Sequence, residues 1–167
     1  MRIQEYFGNI KRKSIGWVGD GNNIIHTLMI SAPKLGMNLQ IFPPKMYRIS
    51  SKIASHAAEL AKYYGTRIDY YDDPSDAVGG TNAIVTDLWN NLPVYPLTKK
   101  MCDTAADDWC FLHCLPWKPK DERDEWFYSD KCLIYKEIEN RKWTIMSVLM
   151  NLMEGYNVRN DTARLDL

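Results

Sequence analysis

Four short segments carry the residues able to do chemistry: Gly19-Asp20-Gly21-Asn22-Asn23, Thr86-Asp87, His113-Cys114-Leu115-Pro116 and Glu139-Asn140-Arg141-Lys142-Trp143. The carboxylate of Asp87 can pair with an ammonium group, because an opposite charge lowers the cost of placing either ion in a cleft. An Asp that merely ends a strand or caps a turn is the commoner case. The thiol of Cys114 can handle a proton or meet an amine if positive charge lies nearby; it can equally be a buried, inert sulfur. Arg141 offers a planar guanidinium suited to phosphate oxygens, or an ordinary solvated charge. The glycine-flanked turn opens a helix, so its N–H groups and the helix dipole favour an anion such as a carboxylate. Its two Asn residues suit the holding of an amino acid, while a tight turn with an Asn N-cap explains the same residues. It lacks the GxGxxG spacing of a nucleotide fingerprint.

The elements that must position these residues follow from periodicity and punctuation. A short amphipathic helix is expected over residues 2–12, then a strand at Ile15-Gly16-Trp17-Val18 that ends in the glycine turn. Ile24, Ile25, Leu28, Met29 and Ala32 recur at helical spacing between Asn22 and Leu35, and Gly36 stops that helix. A strand at Leu39–Phe42 closes on Pro43-Pro44, and a helix from Ser51 to Tyr64 closes on Gly65. Strands are expected at Arg67–Tyr71, Ala83–Thr86 and Trp109–Leu112, with a short helix capped by Asp73 and opened by Pro74 between the first two. Asp121–Tyr128 reads as helix, Leu133–Tyr135 as extended chain, and Asn140–Met153 as a final helix. Alternating strands and helices imply right-handed βαβ units: an α/β fold, one doubly wound and mostly parallel sheet with helices on both faces. Ligands in such sheets bind beyond the carboxyl ends of the strands, where three of the four segments fall.

Composition narrows the partners. At 167 residues the chain is one domain, large enough to bury a core without disulfides or metal. Its 21 basic and 21 acidic residues cancel, which gives no electrostatic reason to expect nucleic acid or an anionic membrane. No apolar run reaches the roughly 20 residues that span a bilayer, and the opening MRIQEYFGNIKRK is a poor secretory or transit signal. Cys102, Cys110, Cys114 and Cys132 form no CxxC pair and the histidines no HxxxH pair, so neither a disulfide framework nor a metal site is expected.

The segments IGWVGDGNNIIHTLMISAPKLGM, AIVTDLW, DWCFLHCLP and ENRKWTIMSVLMNL together resemble the second, ornithine-binding domain of the ornithine carbamoyltransferase family, over roughly residues 3–155. HCLP rather than HPLP favours the ornithine branch over the aspartate branch. The resemblance implies a Rossmann-like domain over residues 14–155, preceded by a remnant of the interdomain helix (1–13) and followed by a tail (156–167). It implies a reaction in which carbamoyl phosphate and ornithine give citrulline and phosphate, as in arginine biosynthesis, with no metal or organic cofactor. Carried over by position, Asn23 and Asp87 hold the amino-acid part of ornithine. Cys114, the proton-handling residue, lies with Leu115 where ornithine meets the carbamoyl group, and Arg141 contacts carbamoyl phosphate.

Three departures from the family pattern accompany the match. The carbamoyl phosphate domain with its Ser-Thr-Arg-Thr loop precedes this region in the family and is not in this sequence. Where a Ser-Met-Gly loop should close over ornithine, the chain reads Asn90-Asn91-Leu92-Pro93-Val94-Tyr95-Pro96. The Arg after HCLP is Trp117, and the Thr after the Asp is Leu88. The chain alone is therefore expected to be weakly active or inactive; a degenerate paralogue that binds an amino acid or another subunit is the alternative. In the family the last helix packs on the other domain. Trp143, Ile145, Met146, Val148, Leu149, Leu152 and Met153 thus form an apolar stripe that predicts self-association or docking onto full-length subunits, unless it folds back on helix 2–12. The resemblance, strongest to mitochondrial members, implies the mitochondrial matrix; with no transit peptide in the chain, the cytoplasm is the other location.

Overall fold

Side chains alternate along each strand, and that period of two sorts them onto two cores. In the computed structural model, which describes residues 1–44, 49–87, 97–115 and 128–153, the strands are β1 (Ser14–Val18), β2 (Asn38–Phe42), β3 (Ile68–Tyr70), β4 (Ala83–Thr86) and β5 (Cys110–His113). They form one all-parallel sheet in the order β3-β2-β1-β4-β5. Ile15, Trp17, Ala83, Val85, Cys110 and Leu112 point to one face, where they pack with Ile25, Met29 and Ala32 of α2 (Asn23–Lys34) and Ala57 of α3 (Ser51–Tyr64). Val18, Ile84 and Phe111 point to the other, against Ala77 and Val78 of α4 (Pro74–Val78), Met101 and Cys102 of α5 (Lys99–Cys102), and Ile134. Trp17 and Ile84 are completely buried; complete burial of such side chains contributes about 1.5–3 kcal/mol each.

Gly16 shows how tightly the second face is built. A Cβ there would lie 2.7 Å from the Ala77 carbonyl oxygen, so only glycine lets α4 approach β1. At the amino end of the sheet, Lys13 Nζ meets Asp108 at 2.6 Å and Asn82 Nδ2 donates to the same carboxylate at 2.7 Å. These contacts tie β1, β4 and β5 together at the end opposite the candidate site, and the pairing holds the Asp108 carboxyl below its usual range.

Most expected elements form where the punctuation puts them. Asp73 caps α4 through Ser75 N–H at 2.7 Å, and Gly65 closes α3 at φ 67°. The first helix is shorter than the expected 2–12: α1 (Arg2–Phe7) ends at Gly8, and Ile10 turns inward to join the core beside β1. The extended reading of Leu133–Tyr135 is corrected. Cys132 bridges Phe111 for a single residue, then Leu133 starts α6 (Ile134–Leu152), six residues before the expected Asn140. The apolar Leu133-Ile134 pair that suggested a strand is buried because it docks the first turn of α6 beside β5. Of the helix expected at 121–128, residues 121–127 lie outside the described residues, and Tyr128 is in a turn.

The rest of α6 carries its apolar side chains into solvent: Trp143 is 53% exposed, Leu149 55% and Leu152 74%. The fold-back onto residues 2–12 is not how the chain packs. Ile3 and Phe7 pack toward the core beside β1, and the polar contacts from α1 to α6 stop at Asn140 to Glu5 (3.2 Å) and Thr144 to Met1 (3.3 Å). Among the described residues, no helix is long and apolar enough to cross a membrane.

Candidate functional site

From β1 the chain winds outward through β2 to β3, then returns to β4 on the other side and continues to β5. The order reverses between β1 and β4, and it is beyond the carboxyl ends of strands at such a switch point that ligands of this fold class bind. The loop after β1 supplies Asp20, Asn22 and Asn23, the end of β4 supplies Asp87, and the end of β5 supplies His113, Cys114 and Leu115.

Asn22 makes the link between the loop after β1 and the end of β4. Its Oδ1 accepts from Ile24 N–H (2.8 Å) and Ile25 N–H (3.4 Å), while its Nδ2 donates to Asp87 Oδ2 at 2.6 Å. The N-cap is thus formed as the sequence allows, and it takes two of the helix-opening donors. Carboxylates lie close by. Burial pushes the Asp20 carboxyl above its usual range, and the Asp87 charge adds to the effect. Asp20 Oδ1 is buried without a hydrogen-bond partner. Asn23 is the first residue of α2; its side chain is exposed, beside rather than within the Asn22–Asp87 contact.

The end of β5 is built by a side chain folding back on its own backbone. His113 pairs in register with Thr86 and is 2% exposed. Its Nδ1 accepts the Leu115 N–H at 2.9 Å. Leu115 has φ 44°, a left-handed conformation that costs a non-glycine residue about 1–2 kcal/mol. A partly buried hydrogen bond of this kind contributes about 1 kcal/mol, and more is lost if the N–H is stranded, so the two effects are of similar size. Between them stands Cys114, half-buried. Its thiol is pushed up to about 12, by burial first and then by the Asp87 and Glu137 charges. The positive charge expected beside it is not what faces it; the described charges acting on it are acidic.

Glu137 comes from the first turn of α6, the segment whose start the sequence misplaced. Burial pushes its carboxyl above the usual range, against the opposing influence of His113, and Oε2 is buried without a partner. Arg141 lies one turn further along α6, exposed and held by no hydrogen bond or ion pair among the described residues. The structure therefore gathers Asp87, Cys114 and Leu115 at adjoining strand ends, sets Asn23 beside them, and leaves Arg141 on an exposed helix turn. Asp20, His113 and Glu137 were not singled out as site residues. The first two sit inside motifs already quoted, whereas Glu137 carried no signal because its segment read as the approach to a helix.

Ionisable side chains from three strand ends, gathered at the switch point of an all-parallel sheet, place the chain in the doubly wound α/β class. Residues 11–152 match the family model for the aspartate/ornithine carbamoyltransferase Asp/Orn-binding domain. The chain is 41% identical to the mitochondrial ornithine carbamoyltransferase of Aquarana catesbeiana and 40% identical to the mitochondrial ornithine transcarbamylase of Gallus gallus. It aligns over 94% of its own length in both cases, but over 49% and 48% of theirs. Its fold is similar to the ornithine carbamoyltransferase structure from Pyrococcus furiosus, with TM-score 0.85 and 29% identity over 93% of this chain and 54% of that one. The chain belongs to the aspartate/ornithine carbamoyltransferase family and carries its Asp/Orn-binding domain. It spans about half the length of the curated relatives it matches.

Proposed function

We propose that this chain is the ornithine-binding half of an ornithine carbamoyltransferase, in which the carbamoyl group of carbamoyl phosphate moves to the side-chain amine of ornithine, giving citrulline and phosphate. The observation that carries this reading is the Asn22–Asp87 contact of 2.6 Å at the switch point. It fixes a carboxylate, fit for an ammonium group, within electrostatic reach of the Cys114 thiol. In this reading Asp87 and Asn23 hold the amino-acid part of ornithine. Cys114 and Leu115 border the amine and the carbamoyl group, and Arg141 reaches carbamoyl phosphate.

The chemistry sets the demands on these groups. The amine nitrogen bonds to the carbamoyl carbon, the carbon–oxygen bond to phosphate breaks, and the amine sheds a proton. An ammonium bound beside Asp87 offsets one of the two charges that keep the Cys114 thiol protonated, so amine binding and thiol ionisation are coupled. Phosphate binding needs fixed donors, and Arg141 alone is a poor cradle. These 167 residues by themselves are therefore proposed to turn over slowly or not at all. The exposed stripe of α6, from Trp143 to Leu152, would dock on a carbamoyl phosphate domain, on intact subunits or on a second copy. A monodisperse monomer in light scattering that binds no surface dye would contradict an exposed docking face. Relatives named as mitochondrial support the mitochondrial matrix as the location.

A second reading, a non-catalytic paralogue that binds an amino acid or another subunit, is favoured by Trp117 after HCLP and by Asn90–Pro96 in place of the closing loop. Citrulline formation separates the two, assayed with the chain alone and mixed with a separately made carbamoyl phosphate domain. Activity on mixing that disappears with Asp87→Asn supports the enzyme half. Silence in both leaves the paralogue reading.

A further inference from the structure

We propose that His113 is a positioning residue, whose Nδ1 holds the Cys114–Leu115 turn in its left-handed form and so keeps the Cys114 thiol half-buried at the end of β5. That this matters for ligand handling rests on the function proposed above; the geometry does not. Three observations meet at this ring. Its backbone is fixed, because Val18, Thr86 and His113 form one cross-strand row and Thr86 Oγ1 donates to Val18 O at 2.7 Å. Its side chain is fixed, being 2% exposed with the Phe111 ring 6.4 Å away on the same face of β5. Its acceptor is spent on one donor two residues ahead, the N–H of the residue at φ 44°.

A left-handed leucine persists only where its surroundings over-determine it. The strand ends at His113, so the sheet no longer directs the backbone at Cys114 and Leu115. The imidazole takes over that task. Because Nδ1 accepts, the neutral ring carries its proton on Nε2. The requirement is for an acceptor at the Nδ1 position specifically. Asn at position 113 would put its Oδ1 there and make an ordinary Asx turn to residue 115. Gln would put its oxygen one bond further out, at the Nε2 position, and Leu would fill the space with no acceptor.

The test uses the whole chain and two readouts independent of any ligand. Nitrogen NMR of the imidazole should show an unprotonated Nδ1 and a protonated Nε2 in the native protein at neutral pH. Alkylation of Cys114 by iodoacetamide, followed by mass spectrometry, should run about tenfold faster in His113→Gln and His113→Leu, as the released turn exposes the thiol, and return to the native rate in His113→Asn. A protonated Nδ1 in the native ring would overturn the proposal even if no variant folds. So would equal alkylation rates in all three variants. Failure of the native chain to bind ornithine would sink the proposed function and leave both readouts unaffected.

Discussion

Asn22 and Asp87, 65 positions apart in sequence, meet at 2.6 Å between the loop after β1 and the end of β4. One side chain thus caps α2 with its oxygen and orients a carboxylate with its nitrogen, coupling helix stability to the geometry at the switch point. Replacing Asn22 by Ala removes both contacts. An unfolding experiment in urea should show a loss of about 1–2 kcal/mol with little change in slope, the usual cost of a lost cap. An unchanged midpoint would mean that the cap contributes nothing here.

Cys114 should behave as a suppressed thiol. With its pKa pushed up to about 12, its alkylation rate should climb close to tenfold for each pH unit from 7 to 10 and show no plateau. A plateau below pH 9 would place positive charge at the thiol and contradict the acidic surroundings seen at the end of β5.

Asp20 should make the protein less stable at neutral pH than it would be without that charge. Its folded-state pKa is raised from 3.8, by burial and then by Asp87. The folded protein therefore holds the proton more tightly than the unfolded chain. Ionised Asp20 costs stability above the folded pKa, and the cost fades as pH falls through that value toward 3.8. Asp20→Asn should accordingly raise the urea midpoint at pH 7, with the gain shrinking toward zero near pH 4. A gain that grows on acidification would reverse the sign of the argument.

The fold was legible because local signals agreed: apolar runs alternating with helical spacing, Gly36 and Gly65 at helix ends, Asp73-Pro74 at a helix start. Where they failed, a tertiary contact decided. Leu133-Ile134 looks like a strand because it is apolar and fully covered, yet its cover comes from docking a helix end beside β5. The site was legible as motifs but not as electrostatics. Sequence spacing cannot reveal that Asp87 and Glu137, drawn from two elements, both act on the Cys114 thiol with negative charge. Nor can it show that His113 folds back on Leu115, since the bond depends on a left-handed residue that no leucine advertises.

The central proposal, that the switch point of this chain binds ornithine through Asp87, is tested most directly by calorimetric titration of ornithine into the native chain and into Asp87→Asn at pH 7. The account predicts binding to the native chain, weakened roughly 10- to 100-fold in the variant as one charge-assisted contact is lost. Equal affinity in the two proteins, or no binding to the native chain, would contradict it.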